Sequence, residues 1–143
     1  MPPKYFLSSL AVVVVLRVLT PFAVLSSLSL EWIGGVLILG GIGLNVVGAG
    51  QFERLGTPIR PGSRSGSLST TGVFAISRNP MYLGMVLVIT GAAVALGSVP
   101  ALVVPWLFAW VIRTRFIRHE EAMLIAEFGE EYVHYSGRVR RWI

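Results

Sequence analysis

Two stretches of the chain hold most of the side chains able to do chemistry. Arg78-Asn79-Pro80-Met81-Tyr82-Leu83-Gly84 sets a guanidinium, an amide and a phenol at the head of an apolar run. Further along, Arg118-His119-Glu120-Glu121 and then Phe128-Gly129-Glu130-Glu131-Tyr132 bring carboxylates to the tail end of another apolar run. Groups of this kind at the wet end of apolar segments can meet a polar cofactor on one side and an oily substrate on the other. Glu120 is the sharpest of them. On a helix its neighbours three and four residues away are Phe116, Ile117, Met123 and Leu124, all apolar. A carboxylate on such a face is costly unless something pairs with it. Two partners fit the pattern equally: an arginine from the 51–80 segment, which would hold the tail against the rest of the chain, or a ligand donating from ribose hydroxyls or an amino group. Glu121 has Arg118 one turn back as a ready counter-charge.

Asn79-Pro80 is a good helix start, with asparagine as cap and proline in the first turn. Arg78 and Tyr82 then stand at the mouth of that helix, whose positive end favours a carboxylate or phosphate. Arg17 falls inside an apolar run and is expected to snorkel or to bond backbone carbonyls of a neighbouring helix. His119 and His134 read as interfacial residues.

The elements that must carry these groups are membrane-like. Hydrophobic residues make up 54% of the chain, charged residues 13%, and the mean hydropathy is +0.72. Four apolar runs, at 5–26, 30–50, 81–97 and 99–117, each approach the ~20 residues needed to cross a bilayer. They predict an all-α integral membrane protein with four transmembrane helices in two hairpins. One domain of 1–143 is expected, divided into an N-terminal hairpin (1–50) and a core (51–143) with a C-terminal tail. The segment 51–71 is rich in Gly, Ser, Pro and Arg and reads as an irregular connection leading into the first motif. Beyond 117 the last helix is expected to run out of the membrane to Phe128, with Gly129 as its stop. The basic, aromatic stretch from Tyr132 onward is expected to lie along lipid headgroups.

Eleven of the twelve Lys and Arg fall on one side of this arrangement, all but Arg17, which predicts cytoplasmic termini and a multi-pass protein. Gly34, Gly41 and Gly48, and Gly84, Gly91 and Ser98, recur every seven residues. Such stripes let helices approach closely, either within the chain or against a second copy in a homodimer. The Gly-x-Gly strings at 41–43 and 48–50 lie in an apolar helix with no strand before them, so they are not a dinucleotide loop. With no cysteine, and with all seven acids glutamate, thiol chemistry, zinc fingers and aspartate-based metal sites are excluded, and no metal site is expected. The net charge of +5 belongs to membrane topology and anionic lipid rather than nucleic acid.

Taken together, Leu68-Ser69-Thr70-Thr71-Gly72-Val73-Phe74 leading into Arg78-Asn79-Pro80-Met81-Tyr82-Leu83-Gly84, then Glu120-Glu121, Phe128-Gly129-Glu130-Glu131-Tyr132 and Tyr135, resemble the isoprenylcysteine carboxyl methyltransferases and the related phospholipid methyltransferases. Gly56-Thr57-Pro58 is also typical of prokaryotic members. The resemblance covers about residues 45–143.

It implies a membrane enzyme that uses S-adenosyl-L-methionine without a Rossmann domain, with the cofactor in a cytoplasm-facing pocket. Carried over by position, the cofactor-binding residues are Ser67, Leu68, Gly72, Phe74, Ala75, Ile76, Ser77, Arg78, Asn79, Tyr82 and Glu120. The family motif often has histidine where Asn79 stands. The prenylcysteine enzymes place a substrate arginine four residues before the glutamate, where this chain has Phe116. Arg115 is the expected stand-in, with Arg113 the alternative, and Glu121 or a histidine is the expected base for an amine acceptor. A carboxylate acceptor needs a cation and no base.

The implied partner is a lipophilic small molecule or lipid that enters sideways from the bilayer, and the identity of the accepting atom stays open. The alternative from another class is a non-catalytic lipid-binding or assembly module that keeps the fold. A reductase related to the sterol reductases finds no nicotinamide site in this sequence.

Overall fold

The computed structural model describes residues 2–25, 27–54 and 68–143. Ser67 and the Gly56-Thr57-Pro58 signature lie outside the described residues. Helix α1 spans Pro2–Leu19, α2 spans Leu28–Arg54, and α3 spans Pro80–Ala95. A last long helix comprises α4 (Val104–Ile112), a π-helical turn (Arg113–Ile117) and α5 (Arg118–Phe128), and α6 (Glu130–Arg138) follows. No β-strand occurs among the described residues.

Three helical stretches, Pro2–Leu19, Leu28–Arg54 and Pro100–Phe128, are long and apolar enough to cross a membrane. The third of the four expected spans falls short. Helix α3 has 16 residues, roughly 24 Å at the α-helical rise, against a hydrocarbon core of about 30 Å. It is cut short because the chain turns at Gly97, whose φ of 60° puts it in the left-handed region. A Cβ at Gly97 would also collide with the Leu25 carbonyl oxygen.

The expected pairing of helices into two hairpins is not confirmed: α3 packs on α4, but no comparable packing joins α1 to α2 among the described residues. Helix α2 packs chiefly on α3, while α1 lies against α3 and α4. The 20–25 connection is tied to the α3–α4 turn: Leu25 N–H donates to the Gly97 carbonyl (2.8 Å) and Val99 N–H to the Ala23 carbonyl (3.2 Å). Helix α1 ends before Thr20-Pro21, because the residue before proline disfavours the helical region. Arg17 therefore stands in the last turn of α1 rather than in mid-span. Its Nε donates to the Leu96 carbonyl (3.1 Å), so a cation meets the negative end of α3, the backbone-carbonyl role expected for it.

The glycine stripes are consumed inside the chain. Gly34, Gly41 and Gly48 are the buried residues of α2, and all three face α3. A Cβ on Gly34 would come within 2.6 Å of the Gly91 carbonyl oxygen, and one on Gly91 equally close to the Gly34 carbonyl oxygen. Gly41 and Gly84 meet in the same way one level nearer the motif. A homodimer through these stripes finds no support, since Gly34 and Gly41 already lie against Gly91 and Gly84. Gly43 and Gly50, the partners of Gly41 and Gly48 in the Gly-x-Gly strings, face open space.

The core between α1, α3 and α4 is built from Val13, Ile89, Ala93, Val104, Phe108 and Ile112. Large apolar side chains such as Trp32, Leu39, Val46, Trp106 and Trp110 point outward and are exposed. An apolar exterior over such a core suits a lipid surrounding. The arrangement brings the N-terminal ends of α3 and α5 to the same end of the molecule, where Tyr82 meets Glu120.

Candidate functional site

The site is built around the head of α3. The chain enters through Leu68–Thr71 and a 3₁₀ turn, Gly72–Ala75, then passes Ile76-Ser77-Arg78 into Asn79 and Pro80. Gly72 starts that turn at φ 58°, a conformation that favours glycine. The turn is held from two sides. From α2, Gln51 Nε2 donates to the Thr71 carbonyl (2.7 Å) and to Thr71 Oγ1 (3.2 Å), and Phe52 meets Phe74 edge-on with centroids 5.0 Å apart. From α6, the buried Tyr135 hydroxyl donates to the Phe74 carbonyl (2.6 Å). Burial pushes the Tyr135 phenol up to about 12.

Asn79 is the N-cap residue of α3 and Pro80 its first residue, as the sequence predicts. The amide does not cap the helix, however. Its Nδ2 donates to the Arg141 carbonyl at 3.0 Å. One turn into α3, the buried Tyr82 hydroxyl donates to Glu120 Oε1 at 2.7 Å. An O–H···O⁻ bond this short is of the charge-assisted kind. The second oxygen of Glu120 has no partner among the described residues. Among the described residues Glu120 thus pairs with a tyrosine of the first motif and not with Arg78.

That arginine goes to the neighbouring glutamate. Glu121 Oε1 lies 3.2 Å from Arg78 Nη1 and accepts from Arg141 Nε at 2.9 Å, while Oε2 accepts from Arg141 Nη2 at 2.6 Å. Both side chains of the Arg78–Glu121 pair are 14% exposed. The expected neutralisation of Glu121 by Arg118 is replaced by this two-arginine clamp, and Arg118 is exposed. Arg78 Nη1 also donates to the Tyr132 hydroxyl (3.3 Å), and burial raises the Tyr132 phenol above its ordinary range. Among the described residues Arg78 Nε is buried without a partner, and so is Ser69 Oγ near the start of the same segment.

The structure therefore gathers Phe74, Ser77, Arg78, Asn79, Tyr82, Glu120 and Glu121 around the entry to α3. Of the other expected cofactor residues, Leu68 is half-buried, and Gly72, Ala75 and Ile76 lie on the exposed side of the turn. Arg115 stands apart from the cluster. It is exposed within the π turn, its Nη1 donating to the Tyr5 hydroxyl of α1 at 3.2 Å, and Phe116 meets the same Tyr5 ring edge-on. Beyond Gly129 the chain folds back instead of spreading along headgroups. Tyr132 and Tyr135 are buried on one face of α6, and Trp142 packs against the core. Sequence reasoning missed Gln51 and Arg141. Nothing marks a terminal arginine in a basic tail as different from its neighbours, while Tyr132 and Tyr135 stand out through the tail signature of the family the chain resembles.

The family model described as phospholipid methyltransferase matches residues 30–131, more than half of the chain, from α2 through α5. The chain belongs to the phospholipid methyltransferase family. Within it, two relatives are informative. The protein-S-isoprenylcysteine O-methyltransferase of Schizosaccharomyces pombe is 32% identical over 72 residues, which is 50% of this chain and 30% of that enzyme. An uncharacterized protein of Haemophilus influenzae is 36% identical over 63 residues, 44% of this chain and 100% of that protein. The match to the S. pombe enzyme thus covers under a third of its length.

Proposed function

We propose that this phospholipid methyltransferase family member moves a methyl group from S-adenosyl-L-methionine to a lipophilic acceptor at the cytoplasmic face of a membrane. The observation that carries the reading is the Tyr82–Glu120 hydrogen bond at the mouth of α3, with Arg78 and Asn79 beside it, in a chain of this family. The residues present fit such a donor. Among the described residues, Glu120 keeps one carboxylate oxygen without a partner for ribose hydroxyls, and Arg78 keeps a buried, unpartnered Nε–H for a carboxylate. Leu68, Gly72, Phe74, Ala75, Ile76 and Ser77 form the adjoining wall in this reading. When bound, the donor supplies an electrophilic methyl carbon on a sulfonium that becomes a neutral thioether.

The chain's own part is mainly positional, because in-line displacement depends above all on holding two reactants in register. Tyr82 fixes the orientation of Glu120. Glu121 serves to hold Arg78: one of its oxygens faces two guanidinium groups and the other is bound by Arg141, so its role in this reading is positional. Arg115 is assigned to the acceptor, where a cation at the π turn orients a carboxylate or phosphate without needing a base. π turns are frequent at functional positions. The basic residues around the site set this end of the molecule on the cytoplasmic side.

The test is transfer of label from S-adenosyl[methyl-³H]methionine into organic-extractable material, with the purified protein, bacterial lipid extract and a prenylcysteine analogue as acceptors. Label in either acceptor that Tyr82→Phe diminishes supports the reading. Folded protein that labels neither favours the non-catalytic module.

A further inference from the structure

The end of the chain crosses the site. The Arg78 N–H donates to the Arg140 carbonyl at 3.0 Å, and the Arg141 carbonyl accepts from both Asn79 Nδ2 (3.0 Å) and Ser77 Oγ (3.4 Å). The Arg141 guanidinium meanwhile grips Glu121 through two parallel bonds of 2.9 and 2.6 Å. The Glu121 hydrogen bond is what raises the Arg141 guanidinium above its ordinary range. One residue thus reaches the first motif through its backbone and the second through its side chain.

We infer that Arg141 is a positioning residue for the methyl-donor site: through its carbonyl it turns Asn79 away from the end of α3, and through its guanidinium it shares Glu121 with Arg78. The inference rests on the methyl-transfer reading above and deepens it.

Two physical consequences follow. With one carboxylate between two guanidinium groups among the described residues, one positive charge near Arg78 is left uncompensated there, which suits an anionic group on the ligand. Without Arg141, Glu121 belongs to Arg78 alone and that charge is cancelled. At the same time Asn79, released from the Arg141 carbonyl, is free to cap α3 as asparagine ordinarily does, closing the helix end beside Tyr82. Both changes act on ligand affinity through other residues, without Arg141 touching the ligand.

The experiment compares wild type, Arg141→Ala, Arg141→Lys and the exposed control Arg118→Ala in detergent, with two readouts. S-adenosylhomocysteine titration gives affinity. Hydrogen exchange at the Arg78 amide, read from overlapping peptides, reports whether the terminal segment is docked, whatever the ligand does. Arg141→Ala is expected to speed Arg78 exchange and to weaken binding about tenfold, as for loss of a hydrogen-bonded charge pair. Arg141→Lys, which keeps the charge but loses the fork, should fall between, and Arg118→Ala should match wild type. Faster exchange with unchanged affinity would overturn the inference and leave the segment as a clasp for the fold alone. Unchanged exchange would overturn it too, because docking would then not depend on Arg141. Wild type that docks its terminal segment but binds no S-adenosylhomocysteine defeats the methyl-transfer reading itself, and the inference with it.

Discussion

Replacing Tyr82 by Phe removes one oxygen and leaves everything else in place. The ring is 8% exposed and packs in the core with Ile89 and its neighbours, so the phenylalanine ring keeps the volume and opens no cavity. What is lost is the 2.7 Å bond to Glu120, together with the lock on that carboxylate. Hydrogen bonds to charged groups contribute about 1.5–3 kcal/mol. Glu120 is half-buried, so water can replace part of the lost donor, and the lower end, about 1.5 kcal/mol, applies. That corresponds to a fall of roughly 3–6 °C in Tm for a chain of this size. Affinity for S-adenosylhomocysteine should drop about tenfold, since each 1.4 kcal/mol is a factor of ten. Scanning fluorimetry on the intrinsic tryptophans gives Tm, and titration gives affinity. Glu120→Ala and the double variant complete a cycle in which the two losses should be strongly non-additive, because both remove the same bond. Full additivity, or Tyr82→Phe protein with unchanged Tm and affinity, would refute the assignment of this pair as a coupled element of the site.

Three further outcomes are expected. Gly41→Leu should destabilise the protein severely, by more than about 3 kcal/mol, because its side chain would enter the backbone of α3 at Gly84; Gly43→Leu, two residues on and facing open space, should change stability by no more than about 0.5 kcal/mol, as detergent-solubilised melting will show. The Tyr135 phenol, raised from 10.0 to about 12, contributes stability that is fully present below pH 10 and is lost as pH rises through 12; Tyr135→Phe should be less stable at neutral pH and should flatten that alkaline decline in Tm. Arg115→Ala should leave S-adenosylhomocysteine affinity as in wild type while raising KM for an acidic lipophilic acceptor about tenfold, measured by label transfer; equal KM would detach Arg115 from the acceptor.

Much of this architecture was legible in the hydropathy of the chain, because a residue facing lipid or a helix neighbour must be apolar wherever the helix ends up. The helix from Pro100 to Phe128, its stop at Gly129, and the helix start at Asn79-Pro80 follow from local rules of that sort. The helix pairings did not follow, because stripes such as Gly34-Gly41-Gly48 say that something comes close without saying what. The structure supplies the partner, Gly84 and Gly91 of α3. Among the site residues, Glu120 stood out because its helical neighbours are apolar, and Tyr82 because it follows a helix cap. The exchange of roles between Glu120 and Glu121 was hidden. Adjacent residues on a helix point about 100° apart, and which of the two meets Arg78 depends on the rotation of α5 beyond the π turn at Arg113–Ile117. Arg141 and Gln51 were invisible for a simpler reason: their bonds reach residues far away in the sequence, and no local pattern encodes them.

The most direct test of the central claim is calorimetric titration of S-adenosylhomocysteine into the purified wild-type protein, beside Glu120→Ala. Binding at micromolar concentrations by wild type, abolished in a variant that still melts cooperatively, is the predicted result. A well-folded wild type that releases no heat and shows no ligand-induced rise in Tm would contradict the account.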